Sequence, residues 1–483
     1  MNITSWMLGI IILLNILFAF IVIFQGRRKD IGSTWAWLMV LLLIPIVGFV
    51  LYIFFAQNFK RSRLFYWDDI KKRGLDQGLK SQVSQFRAQQ FQFRNSTSAE
   101  YGDLITMNLL NNQAVLTEDN QVEVYTDGKE KFAALFRDIE QATESIHVQY
   151  YIIQKDNLGR ELLDLLTKKA REGVMVRVLY DDLGSRSLTK KFLSNLRAAG
   201  GQVEAFFPSK FRLINLRLNY RNHRKLVIID GRIGYVGGFN VGDEYLGLSS
   251  KFGYWRDTHL RIEGAAVYSI QTRFILDWNQ ASEHHDITYV PSLFPPIPSK
   301  GEKGIQIVSS GPESEYEHIK NTYLKMITSA RSSIYIQTPY FIPDSSVLDA
   351  LRIAALSGVE VNIMIPDKPD HMFVYWATLS YIGEMLKTGT NVYLYSNGFV
   401  HAKTLVVDER IASVGTANFD FRSFKLNFEV NAFVYDEGTA QQLSHAFQED
   451  INVSELLTLE KYQQRSRWVR VKESISRLLS PIL

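Results

Sequence analysis

The chain has 483 residues, 54 Lys and Arg against 50 Asp and Glu, a formal charge of +4 and no Cys. It is too long for one ordinary domain, and the absence of thiols excludes disulfides and thiolate metal sites. The small net charge says little about partners, and the lack of a dense basic stripe argues against a nucleic-acid substrate.

Trp6 to Phe24 is apolar except for Asn15, and Trp35 to Ala56 is uncharged, interrupted only by Pro45 and Gly48. As a helix, each is long enough to cross about 30 Å of hydrocarbon. Trp6, Trp35, Trp37 and Tyr52 lie near the ends, where aromatic rings favour the interface. No basic residue precedes the first stretch and no clear small-residue cleavage site follows it, which argues against a secretory signal. Arg27, Arg28 and Lys29 lie between the stretches, and Lys60, Arg61, Arg63, Lys71, Lys72 and Arg73 follow the second. Two spans put both termini on one side of the membrane, and the larger basic cluster favours the cytoplasmic side. The expectation is two transmembrane helices over residues 1–58 and a basic juxtamembrane linker over 59–101.

From about Gly102 the pattern turns globular. A first half, residues 102–295, opens with a strand over Asn120 to Tyr125 and a helix over Glu130 to Ala142, with Phe132, Leu135, Phe136 and Ile139 at helical spacing. Ile146 to Ile153 reads as a strand, Gly159 to Glu172 as a helix and Val174 to Tyr180 as a strand, a β-α-β unit. A helix near Thr189 to Ala199 leads to a strand at Val203 to Phe207. The link Tyr289 to Gly304, with Pro291, Pro295, Pro296 and Pro298, marks the boundary. The second half, residues 296–483, repeats the order: strand Ile305 to Ser309, helix Tyr316 to Ala330, strand Ile334 to Gln337, helix Val347 to Ser357, a strand at Val359 to Val361, helix Met372 to Lys387 and strand Val392 to Tyr395. The fold class is therefore α/β, a duplicated unit with two mixed sheets flanked by helices.

Each half closes on the same pattern. His223 and Lys225 are followed by Asp230, then Gly237 and Asn240; His401 and Lys403 are followed by Asp408, then Gly415 and Asn418, at identical spacings. One H-x-K is common by chance, but two with three matched spacings are not. The runs Leu226 to Ile229 and Leu405 to Val407 read as buried strands, so His and Lys share a face at period 2. Asp230 and Asp408 have the opposite parity and precede turn-like pairs; they complete the candidate set as strand-end anchors rather than reacting groups. Asn240 and Asn418 return on neighbouring strands or at their ends.

This composition suits phosphoryl transfer. Imidazole serves as nucleophile or as general acid and base. Lysine ammonium and Asn amide donors hold anionic oxygens, so no metal or other cofactor is required. His223 is assigned as nucleophile and His401 as acid and base, with Lys225, Lys403, Asn240 and Asn418 on the phosphoryl oxygens. A working His needs its other ring nitrogen oriented. Glu429, 28 residues after His401, and Asp257, 34 residues after His223, are the candidate orienting groups.

These words resemble the phospholipase D superfamily, in which two such motifs form one active site between two halves of the fold. The run Tyr220 to Lys225, the run Gly237 to Tyr245, and Phe399 to Lys403 resemble one branch, the bacterial cardiolipin synthases. Arg422, Ser423, Asn427 and Glu429 match the pattern trailing the second motif. Where the superfamily often has Ser, this chain has Gly238 in the first copy and Thr416 in the second, so a hydroxyl role is supported only in the second. The resemblance covers nearly the whole chain. It implies transfer of a phosphatidyl group from one phosphatidylglycerol to another, giving cardiolipin and glycerol through a phosphatidyl-histidine, by an integral protein of the bacterial cell membrane whose catalytic portion faces the cytoplasm. The alternative is a membrane-bound phosphodiesterase that passes the same intermediate to water. A lipid-binding scaffold with a degenerate site is disfavoured because both motifs are intact.

Overall fold

The computed structural model describes residues 75–208 and 219–480, with 13–20, 31–44 and a few single positions nearer the N-terminus. The two apolar stretches lie only partly within the described residues. Among the described residues no helix is long and apolar enough to cross a membrane. Two compact units are present: Met1–Lys60 with Ser209–Asn219, and Arg61–Pro208 with Tyr220–Leu483. In the first unit, residues 13–20 are helical, Ile31–Leu43 is a helix without a charged residue, and Trp37 packs edge-on to Tyr52 at 5.4 Å.

The second unit is built on one sheet of 15 strands among the described residues. In the first half, Ser145–Tyr150, Met175–Asp181 and Gln202–Phe206 run parallel. The helix Asn157–Arg171 crosses between the first two. Leu226–Ile229 pairs antiparallel on the other side of Ser145–Tyr150, followed outward by Ile233–Gly237, His259–Glu263 and Thr117–Tyr125. The second half repeats this order. Ser333–Gln337, Glu360–Pro366 and Asn391–Tyr395 are parallel; Thr404–Val407, Ile411–Gly415, Glu429–Tyr435 and Lys303–Ser310 follow antiparallel. Thr117–Tyr125 pairs with Lys303–Ser310 across a bulge, so the two expected sheets are one continuous sheet.

The central strands Leu226–Ile229 and Thr404–Val407 are buried throughout, which suits runs of apolar, largely β-branched residues in a sheet covered on both faces. Two differences from the sequence reading have local causes. The helix expected over Thr189 to Ala199 is only Ser194–Ala198, and the Thr189 hydroxyl accepts from Phe192 N at 3.2 Å, an alternative to the helical bond. The helix Gly102–Asn112 lies in the first half along the chain, yet its Leu104 and Ile105 join the apolar core of the second. Gln306 of that half holds it by donating to the carbonyls of Ile105 and Ala114.

Candidate active site

A cleft of about 610 Å³ receives His223, Asn240, His401 and Asn418. Neither His lies in a strand. Each sits just before one, and the main chain of the opposite half holds it. His223 N donates to the carbonyl of Phe428 at 2.9 Å, and His401 N to that of Arg256 at 2.7 Å. The next residue in each case is a carboxylate. Glu429 accepts from His223 Nδ1 with both oxygens at 3.0 Å, and Asp257 Oδ2 accepts from His401 Nδ1 at 2.6 Å. The carboxylates in contact with the imidazoles are the two residues singled out in the sequence, but the pairing crosses the halves: each His meets the carboxylate of the other repeat. With Nδ1–H engaged, each imidazole keeps its Nε2 lone pair for the cleft.

Tyr151 meets the His223 ring edge-on at 4.9 Å, and Trp255 lies 5.1 Å from the His401 ring. Lys225 Nζ donates to the carbonyl of His223 at 2.6 Å, and Lys403 Nζ donates to that of His401. An ammonium has three donors, so each Lys retains N–H groups for a bound anion. Asn240 Oδ1 accepts from Ile152 N and its Nδ2 donates to the Tyr245 hydroxyl; Asn418 Nδ2 donates to Asp420. Each amide therefore commits one of its two N–H donors to the protein.

Asp230 and Asp408 stand apart from the cleft. Both adopt left-handed backbone, φ 51° and 53°, at the turn of a hairpin, a conformation Asp tolerates better than most residues. The Asp230 carboxylate accepts from the main-chain N–H of Thr143, Glu144 and Ser145, and that of Asp408 from Arg331, Ser332 and Ser333. They tie the motif hairpin to the start of the adjacent strand, as strand-end anchors do.

Burial first, and the nearby lysines second, hold both imidazoles down to about 4, against the pull of their carboxylates. Burial likewise lowers Lys225 to about 7 and Lys403 to about 8. Burial pushes Glu429 and Asp257 upward, but the facing imidazoles and lysines outweigh it and leave both below the ordinary carboxylate value. At neutral pH the site thus holds two neutral imidazoles, two carboxylates, a largely charged Lys403 and a Lys225 near its midpoint. The Lys225 value predicts an alkaline limb. As pH rises through about 7 the ammonium is lost, and kcat/KM falls about tenfold per pH unit beyond it. In Lys225→Arg the guanidinium keeps its charge, so the limb moves upward. A pH–rate profile with the limb unmoved in that variant assigns it to another group.

Residues beyond the sequence reading complete the arrangement. Asp277 accepts from Gln149 and grips Arg224, whose Nε donates to the carbonyl of Glu429 at 3.1 Å. In the other half Asp450 accepts from Gln337 and grips Arg256, whose guanidinium donates to the carbonyl of Asp257 at 2.6 Å. Both arginines are buried. The two carboxylate residues are thus held through their main chain by matching Gln–Asp–Arg sets. Asp277, between Leu276 and Trp278, carried a legible signal, a charge inside an apolar helical face; Asp450, in a polar run, carried none.

The Gly238 and Thr416 positions explain each other. Thr416 donates its hydroxyl to Glu429 at 2.5 Å. At Gly238 a Cβ would stand 1.9 Å from Asp257 Oδ1, so the shorter carboxylate occupies the space a side chain would need. Gly238→Ala is expected to displace Asp257 and lower kcat about 10²-fold with the fold retained. Steady-state kinetics beside a melting curve test this; wild-type kcat would show that Asp257 has room to adjust.

Two homologous half-sites, each bringing a His and an Asn to one cleft and each His in contact with a carboxylate of the other half, define a phospholipase D-type phosphodiester-transfer fold. The family model described as "Cardiolipin synthase, PLD-like domain" matches residues 135–260 and 323–451, and "Phospholipase D-nuclease N-terminal" matches 13–57. The major cardiolipin synthase ClsA of Bacillus subtilis (strain 168) is 63% identical over 483 residues, all of both chains. A cardiolipin synthase of Listeria welshimeri is 54% identical, again over all of both chains. The chain belongs to the cardiolipin synthase family of phospholipase D-like proteins. Among solved structures, phosphatidylserine synthase of Haemophilus influenzae Rd KW20 matches in fold, with a TM-score of 0.62 and 15% identity over 80% of this chain and all of that one.

Proposed function

We propose that the chain is a phosphatidyltransferase making cardiolipin and glycerol from two phosphatidylglycerol molecules. The observation that carries this reading is the crossed pair of His–carboxylate contacts opening on one cleft, in a chain that matches curated cardiolipin synthases along its whole length.

In the first step His223 Nε2 attacks phosphorus and the bond to the glycerol headgroup oxygen breaks. His401, as imidazolium, gives that oxygen its proton. The arriving phosphodiester anion favours this charge, because a negative group beside the ring stabilises the imidazolium. In the second step a headgroup hydroxyl of another phosphatidylglycerol gives its proton to His401 and attacks phosphorus. The P–N bond breaks and His223 leaves neutral. Lys225 and Lys403, with the remaining amide donors of Asn240 and Asn418, hold the non-bridging oxygens. Closure of the cleft around a lipid headgroup favours the alcohol over bulk water.

The apolar stretches Trp6 to Phe24 and Trp35 to Ala56 form two transmembrane helices within residues 1–58. A juxtamembrane linker over 59–101 follows, then the two halves over 102–295 and 296–483, with the catalytic portion on the cytoplasmic side of the cell membrane. Supporting this are the match over 13–57 and the solvent-facing Trp35, Met39, Leu42 and Leu43 on a helix without charge.

Incubating the purified chain with phosphatidylglycerol in detergent tests the reading. Cardiolipin with glycerol is expected; phosphatidic acid with glycerol would identify a hydrolase.

A further inference from the structure

The C-terminal helix Arg467–Leu478 is amphipathic, but it is mounted inside out. Its polar side faces the protein. Glu473 and Ser476 are buried, Glu473 accepts a two-pronged contact from Arg465 at 2.7 and 2.8 Å, and Arg477 reaches Ser380 and Glu384. Its apolar side faces outward: Trp468, Val471, Ile475 and Leu478, spaced by three and four, are 76%, 46%, 52% and 81% exposed. That spacing places all four on one stripe. Arg467, Arg470 and Lys472, all exposed, flank it.

The helix packs on Met372–Leu386. That element begins at the catalytic cleft, where Asp370, His371 and Val374 are part of the lining. Its first turn continues the apolar surface through Met372 and Phe373, both about half exposed. Phe373 meets Trp376 at 5.6 Å, and Lys472 Nζ lies 4.8 Å above the Trp376 ring. One surface of apolar side chains with a cationic border therefore runs from the C-terminal helix to the edge of the cleft.

We propose that this surface lies in the headgroup layer of an anionic bilayer and holds the mouth of the cleft at the lipid. An apolar stripe bordered by Arg and Lys, with Trp at one end, has the chemistry of an interfacial helix: the apolar side chains enter the acyl boundary and the cations reach the phosphates. A second copy of the chain fits less well, since self-pairing would bring the cationic borders together. The inference rests on the reading of the substrate as an anionic phospholipid. It concerns a contact separate from the N-terminal stretches.

Because the chain has no Cys, single thiols can be placed at will. Full-length Ile475→Cys and Ser474→Cys proteins, each carrying an environment-sensitive fluorophore, are reconstituted into vesicles of phosphatidylglycerol and phosphatidylcholine. The label at 475 is expected to shift to the blue, resist iodide and be quenched by a doxyl-labelled lipid, whereas that at 474 stays more open to iodide. Equal iodide access at both positions overturns the proposal. So does a blue shift at 475 without doxyl quenching, which would place a second copy on the stripe. The double variant Val471→Asp, Ile475→Asp should make at least about tenfold less cardiolipin from vesicles. With monomeric short-chain phosphatidylglycerol its rate should stay within about twofold of wild type, since the bilayer contact is then unused. Equal loss on both substrates overturns the docking role, whereas a wild-type chain making no cardiolipin from either substrate overturns the transferase reading instead.

Discussion

His401→Ala and His223→Ala are each expected to lower cardiolipin formation by about 10⁴ or more, and to differ in where they stop. A phosphatidyl donor with a p-nitrophenyl leaving group needs no acid to depart. With that donor, His401→Ala should release one equivalent of nitrophenol in a burst and hold the lipid on His223, with no acceptor activated to remove it. His223→Ala has no nucleophile and should give no burst. A burst from His223→Ala, with lipid found on His401, would exchange the two roles while leaving the shared site intact. Turnover near wild type in either variant would remove that His from the chemistry.

The second large effect follows from the crossing of the carboxylates. Glu429→Gln and Asp257→Asn should each cost about 10² to 10⁴ in kcat, because an amide cannot fix the same imidazole tautomer or support its charge. The two losses should fall on different steps. Glu429 faces His223 although it lies in the second half, and Asp257 faces His401 although it lies in the first. With the p-nitrophenyl donor, Glu429→Gln should slow the burst itself. Asp257→Asn should leave the burst nearly intact and slow the following turnover. The opposite assignment would mean that each carboxylate serves the His of its own repeat, contrary to the contacts described here.

Much of this was legible in the chain. Local signals are strong where a period or a spacing is repeated. The alternation and apolar runs marked most of the strands, and helical periodicity marked Gly128–Gln141 and Met372–Leu386. The doubled H-x-K pattern marked His223, Lys225, His401 and Lys403 as one set. The opposite parity of Asp230 and Asp408 separated them from it, since a side chain one residue out of phase in a strand points to the other face. The terminal stripe is not legible in this way, because Trp468, Val471, Ile475 and Leu478 have the spacing of an ordinary core face and only the structure turns them outward.

The sequence by itself determined the duplication, the order of elements and the residue types that carry the chemistry, because these depend on spacing along the chain and on the burial each residue tolerates. Only the tertiary structure decided which partner each group meets. The merging of two sheets through Thr117–Tyr125 and Lys303–Ser310, the exchange of Glu429 and Asp257 between halves, and the paired grip of Asp277 and Asp450 on Arg224 and Arg256 all join residues far apart in sequence. A repeat cannot reveal whether its parts pair within a copy or between copies, since both leave the same pattern. The choice follows from how two folded halves bury their apolar faces together while pairing buried charges such as Arg224 with Asp277 and Arg256 with Asp450.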